Sequence, residues 1–138
     1  MAEHLFVYGT LRRQSPHAMA RFLAERARFV NRGRVRGQLY HLGRYPGMVA
    51  ADSPDDWVVG DVFELVDAPE ILAELDRYEN GPAPTTLRYE RTMAAVTLDD
   101  GRETSAWVYW YRGSLGESEL ILSGDFFEGS SQTKSPQP

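Results

Sequence analysis

Leu5-Phe6-Val7-Tyr8-Gly9-Thr10-Leu11-Arg12-Arg13 is the stretch from which the rest of the chain can be ordered. Leu5 to Tyr8 is aliphatic, β-branched and aromatic, which reads as a buried strand interior to a sheet. Gly9 interrupts it at once, in a position where a glycine permits positive φ or lets another group come close to the backbone. The amides of Gly9, Thr10 and Leu11 can then point outward from a tight turn, and successive turn amides form an anion-binding concavity. The plain alternative, a strand that simply ends in a Gly turn, stands beside this reading.

Working outward, Ser15-Pro16 has the form of a helix cap followed by Pro in the first turn. Met19, Phe22 and Leu23 then recur at helical spacing up to Arg26. Residues 27–42 are β-rich and broken by glycines, and Gly37 marks a bulge or a close backbone contact. Tyr45-Pro46-Gly47 is a turn signal whose aromatic can line a pocket mouth. Trp57 to Val66 is apolar on both faces, with Trp57, Val59, Asp61, Phe63 and Leu65 on one side, so it belongs in the middle of a sheet. Asp67-Ala68-Pro69 opens a second helix on which Ile71, Leu72, Leu75 and Tyr78 share a face, and Asn80-Gly81 can cap its end. Pro82 to Leu87 is a loop. Arg88 to Leu98 and Arg102 to Tyr111 are two strands joined by the hairpin signal Asp99-Asp100-Gly101. The second of them ends in Trp107-Val108-Tyr109-Trp110-Tyr111, aromatic on both faces, with one face for the core and one for a core or a pocket wall. A short piece from Ser118 to Phe127 is placed to cover the sheet.

The chain has 138 residues, the size of one domain, and we assign residues 1–128 to it. From Gly129 to Pro138 the composition cannot pack a core and predicts a disordered tail. A net charge of -5 with no basic run argues against nucleic acid as a partner. No cysteine is present, so disulfides, thiolate nucleophiles and Cys-based metal sites are out. His4, His17 and His41 lack metal-ligand spacing, and no metal is expected. Neither a secretory signal nor a membrane-length apolar run is visible, which predicts a cytoplasmic protein. Nothing in the chain specifies an oligomeric state.

Glu79 is the residue that the helix pattern singles out. It sits at the end of a helix whose apolar face is committed to the core, at the end that the helix dipole disfavours for a carboxylate. A carboxylate held there can fall in a pocket, where desolvation raises its pKa toward a useful range for a base. A solvated carboxylate at a helix end is the competing reading.

Six pieces in order carry a family resemblance: Phe6-Val7-Tyr8-Gly9-Thr10-Leu11, Tyr45-Pro46-Gly47, Gly60-Asp61-Val62-Phe63, Leu75-Asp76-Arg77-Tyr78-Glu79, Tyr89-Glu90-Arg91 and Ala106-Trp107-Val108-Tyr109. Together they resemble the γ-glutamylcyclotransferase-like (AIG2-like) family, from about residue 4 to 127. The resemblance implies an α+β fold, a small mixed β-barrel with helices packed around it. It implies that Tyr8, Gly9, Thr10 and Leu11 bind the substrate, chiefly through backbone amides, with Glu79 as the catalytic base. Tyr45, Tyr109 and Tyr111 are candidates for a pocket wall or hydroxyl. The implied partner is a small γ-glutamyl compound, converted to 5-oxoproline and a free amine by intramolecular aminolysis. That chemistry needs no nucleophilic side chain, metal or cofactor. Asn80 follows Glu79 where relatives often have Gly, and the loop Pro82-Ala83-Pro84 is idiosyncratic; both bear on substrate choice. Free γ-glutamyl amino acids, γ-glutamyl-lysine-type amides and an acylated biosynthetic intermediate share the same γ-glutamyl head. A binding module that keeps the pocket without turnover is the alternative, which a missing Glu would favour. A P-loop fails because Gly9-Thr10-Leu11-Arg12 lacks the Gly-Lys-Ser/Thr ending.

Overall fold

The computed structural model describes residues 3–9, 12, 18–42, 46–51, 53–80, 89–113, 115–116, 118–121 and 123–126, and for residues 78–80 the backbone only. The elements are β1 (Glu3–Val7), α1 (Ala18–Arg26), β2 (Ala27–Arg36), β3 (Gln38–His41), β4 (Pro46–Val49), β5 (Trp57–Leu65), α2 (Ala68–Asn80), β6 (Tyr89–Leu98), β7 (Glu103–Tyr111) and β8 (Glu119–Leu120). Five strands close a barrel in the order β1-β5-β2-β6-β7, and β4-β3-β8 form a small second sheet. The fold is therefore an α+β mixed barrel: its pairings are antiparallel except for β1 with β7, which is parallel and joins Leu5 to Trp107.

The period of two in each strand divides the core in two. Phe6 and Tyr8 join Val35, Val58, Val62, Val96, Ala106 and Val108 in one buried cluster. All five barrel strands contribute to it and neither helix does, so it is the barrel's interior. Leu5 and Val7 face the other way, with Phe63, Leu65 and Tyr109, and pack against Leu23 of α1 and Ile71, Leu72 and Leu75 of α2. β5 is central as its two apolar faces predict, paired with β1 on one side and β2 on the other.

Two local expectations need correction or refinement. Pro46 and Gly47 are not in a turn: they begin β4, where His41 pairs with Pro46 and Tyr40 with Gly47. Pro is tolerated as the first residue of a strand because no ladder donor is needed there, so pairing overrides the turn propensity. The bulge falls at Val30, between the Phe29 and Asn31 registers of β2. Gly37 instead is a close contact, since a Cβ there would lie 2.7 Å from Met48 Cε. The hairpin stands as read, with Gly101 at φ 93°. Ser15-Pro16, the Gly81 cap, the Pro82–Leu87 loop and the 129–138 tail lie outside the described residues. Among the described residues, no helix is long and apolar enough to cross a membrane.

Candidate functional site

β1 and β7 run parallel, so their C-terminal ends emerge at one rim of the barrel, where β6 begins. Tyr8 follows β1 and points inward. Its hydroxyl donates to the Tyr109 carbonyl at 2.5 Å and accepts from the Met48 amide at 3.3 Å. Buried hydroxyls take such partners because an unpaired one costs about 1–3 kcal/mol. Tyr8 thus links the strand before the predicted turn to β7 and β4.

Gly9 is followed by a turn that the Arg12 amide closes onto the Gly9 carbonyl at 3.0 Å. Gly9 does not have positive φ. Its glycine is required by crowding: a Cβ would stand 2.5 Å from Pro46 Cγ. Pro46 is itself fixed, since the Tyr89 hydroxyl donates to its carbonyl at 3.0 Å. Gly9→Ala is therefore expected to push the turn and β4 apart and to destabilise the fold by about 1–3 kcal/mol, the usual range for overpacking. Urea denaturation checks it, and wild-type stability in this variant would mean that Pro46 yields freely.

Tyr89 and Tyr111 are cross-strand partners with rings 5.4 Å apart, and a Cβ on Gly47 would lie 3.0 Å from the Tyr111 ring. Tyr109 is buried, and its hydroxyl donates to Asp76 Oδ1 of α2 at 2.6 Å. The structure thus gathers Tyr8, Gly9, Tyr109 and Tyr111 at one rim, and Asp76 brings α2 to the same place. The backbone of Glu79 lies in α2 one turn beyond Leu75 and Asp76. Its side chain, and Thr10, Leu11 and Tyr45, lie outside the described residues.

Two sets of residues were missed by sequence reasoning. Arg91 grips Asp76 through Nε at 2.9 Å and Nη2 at 3.1 Å, and that hydrogen bonding raises the guanidinium above its ordinary pKa. Tyr89 and Arg91 alternate on one face of β6, a period-two signal that pointed to a shared outer face. The second set is Arg12, only 1% exposed, with Asp61 and Asp125. Arg12 Nη1 donates to Asp125 Oδ1 at 2.8 Å, and its Nε is 3.7 Å from Asp61 Oδ2. A charged residue in the middle of the doubly apolar strand Trp57–Leu65 was the signal for it. A groove of about 710 Å³ lies at the opposite end of α2, lined by Phe22, Arg26, Glu70, Ile71 and Glu74 among others, and none of the candidate site residues lines it.

The sequence model of the γ-glutamyl cyclotransferase, AIG2-like family matches residues 5–128. The Escherichia coli K12 γ-glutamylcyclotransferase family protein YtfP is 31% identical over 131 residues, 90% of this chain and 96% of that one. Among solved structures, Bacillus subtilis YkqA superposes with a TM-score of 0.73 at 27% identity, taking in 100% of this chain and 44% of YkqA. A mouse AIG2-like protein gives a TM-score of 0.62 at 26% identity over 79% of this chain and 76% of its own. The family model spans nearly the whole chain and the barrel fold agrees with these likenesses: the chain belongs to the γ-glutamyl cyclotransferase, AIG2-like family.

Proposed function

We propose that the protein is a γ-glutamylcyclotransferase that closes a γ-glutamyl amide into 5-oxoproline and releases the amine. The observation that carries the reading is the meeting, at one rim, of the Tyr8–Gly9 end of β1 with the helix that bears Glu79, linked through Tyr109 and Asp76. The α-amine of the substrate attacks its own γ-carbonyl and a five-membered ring forms. Bound in a folded shape, nucleophile and carbonyl meet at high effective concentration. Glu79 takes a proton from the α-ammonium and returns one to the leaving amine. Amides of the Gly9, Thr10 and Leu11 turn hold the substrate's negative oxygens. Tyr45, Tyr109 and Tyr111 contribute a wall; for Tyr109 that role belongs to the ring, since its hydroxyl is bonded to Asp76. The reading carries with it a cytoplasmic enzyme that works without a cofactor.

The test is a panel of γ-glutamyl amino acids, γ-glutamyl-lysine-type amides and acylated γ-glutamyl amines, with 5-oxoproline as the readout. At least one class is expected to turn over. Binding of γ-glutamyl compounds with no 5-oxoproline from any class would replace the enzyme by the non-catalytic module of the same fold.

A further inference from the structure

Asp76 is where α2 and the barrel rim are joined by directed bonds. Arg91 and Tyr109 stand directly opposite each other in β6 and β7. Side by side, they present three donors to one carboxylate: Arg91 Nε at 2.9 Å, Arg91 Nη2 at 3.1 Å and the Tyr109 hydroxyl at 2.6 Å. The Arg91 guanidinium lies 4.6 Å from the Trp107 ring centre, which fixes its plane. The Tyr109 carbonyl in turn accepts the Tyr8 hydroxyl at 2.5 Å. A continuous path of bonds therefore runs from the penultimate turn of α2 through β7 to the residue before Gly9.

Two ion pairs among the described residues show the contrast. Arg77 pairs with Glu74 inside one helix, and Arg112 with Glu90 within one hairpin, with both partners well exposed. Arg91 with Asp76 joins a helix to the sheet and is only partly exposed. Apolar packing through Ile71, Leu72 and Leu75 already docks α2. Such packing is non-directional and fixes rotation and slide of a helix loosely. A two-pronged guanidinium–carboxylate pair fixes both.

We infer that Asp76 is a positioning residue: held by Arg91 and Tyr109, it sets where the last turn of α2, and with it residue 79, stands relative to the Tyr8–Gly9 end of β1. The inference rests on the reading of Glu79 as the base. Misplacing a reacting group by about 1 Å can lower a rate by about 100-fold, so the grip acts on the chemical step while substrate binding by the turn is left in place.

The experiment uses the full chain and the γ-glutamyl amide that gives the fastest 5-oxoproline release. Tyr109→Phe removes one donor to Asp76 and keeps the carbonyl that receives Tyr8. Asp76→Asn keeps the size of the side chain and breaks the fork to Arg91. Each is expected to lower kcat by about 10- to 100-fold and to leave KM within about threefold. The double variant is expected to be no slower than the slower single one, as for two residues acting through one link. Wild-type kcat in a folded Tyr109→Phe protein overturns the inference, and so do losses that multiply in the double variant or that fall on KM instead of kcat. If Asp76→Asn does not fold, Tyr109→Phe decides alone. Glu79→Gln is measured in parallel. If it retains turnover, the base assignment falls first; if it is inactive while Tyr109→Phe behaves as wild type, only the positioning role falls.

Discussion

Glu79→Gln is expected to fold and to lose turnover by a factor of about 10²–10⁴, the usual contribution of a general base. The amide matches the carboxylate in size and shape but cannot take a proton from the α-ammonium, so the amine stays unable to attack. Substrate binding should persist, because the turn that follows Tyr8 is untouched. Stability is expected to move by no more than about half a kcal/mol if residue 79 faces water. In a partly apolar pocket the carboxylate is a burden to folding, and Gln should then raise the melting temperature. Thermal unfolding and 5-oxoproline release, measured side by side with the wild type, give both answers. A folded Glu79→Gln protein with undiminished turnover means that another group is the base.

Much of the architecture was legible because it is written in local periodicity. Leu5 and Val7 alternating with Phe6 and Tyr8, and β5 apolar on both faces, require a sheet covered on both sides. The barrel interior and the helices Ala18–Arg26 and Ala68–Asn80 supply the two covers. What was not legible depends on partners far away in sequence. The closing pair of the barrel joins Leu5 to Trp107, and no window of sequence around either residue contains the other. Pro46-Gly47 has strong local turn chemistry that the ladder to β3 outweighs. At the candidate site the residue types of the rim were visible as motif pieces. The bond from the Tyr8 hydroxyl to a β7 carbonyl was not, because a backbone acceptor has no signature in side-chain identity. Asp76 stands in the same motif piece as Glu79, but its bonds to Arg91 and Tyr109 join residues 15 and 33 positions apart, which no local pattern records.

Arg12→Met is expected to have the largest effect on stability of any single change considered for this protein. Read along the chain, Arg12-Arg13 is an ordinary basic pair after a turn. In the fold, Arg12 is 1% exposed, and it ties the end of the Gly9 turn to Asp61 in the central strand and to Asp125 in the C-terminal segment. Gly124, next to Asp125, accepts the Val59 amide at 2.7 Å, so the same segment is also stitched to β5 by its backbone. Methionine fills much of the arginine's volume but takes away the cation shared by two largely buried carboxylates. Removing one partner of a buried ion pair typically costs about 3–5 kcal/mol, which is a large share of a domain's total of about 5–15 kcal/mol. Lysine restores a charge but not the planar fork that reaches both carboxylates, so Arg12→Lys should fall between the two. The control is Arg28→Met. Arg28 pairs with Glu64 at the surface with 68% of its side chain exposed, and such pairs contribute about 0–1 kcal/mol. Urea denaturation of the three variants should therefore rank Arg12→Met far below Arg12→Lys, with Arg28→Met close to wild type. An Arg12→Met protein within about 1 kcal/mol of wild type would mean that Asp61 and Asp125 are stabilised without the arginine, and that the segment carrying Asp125 is held to the barrel by Gly124 and its apolar neighbours alone.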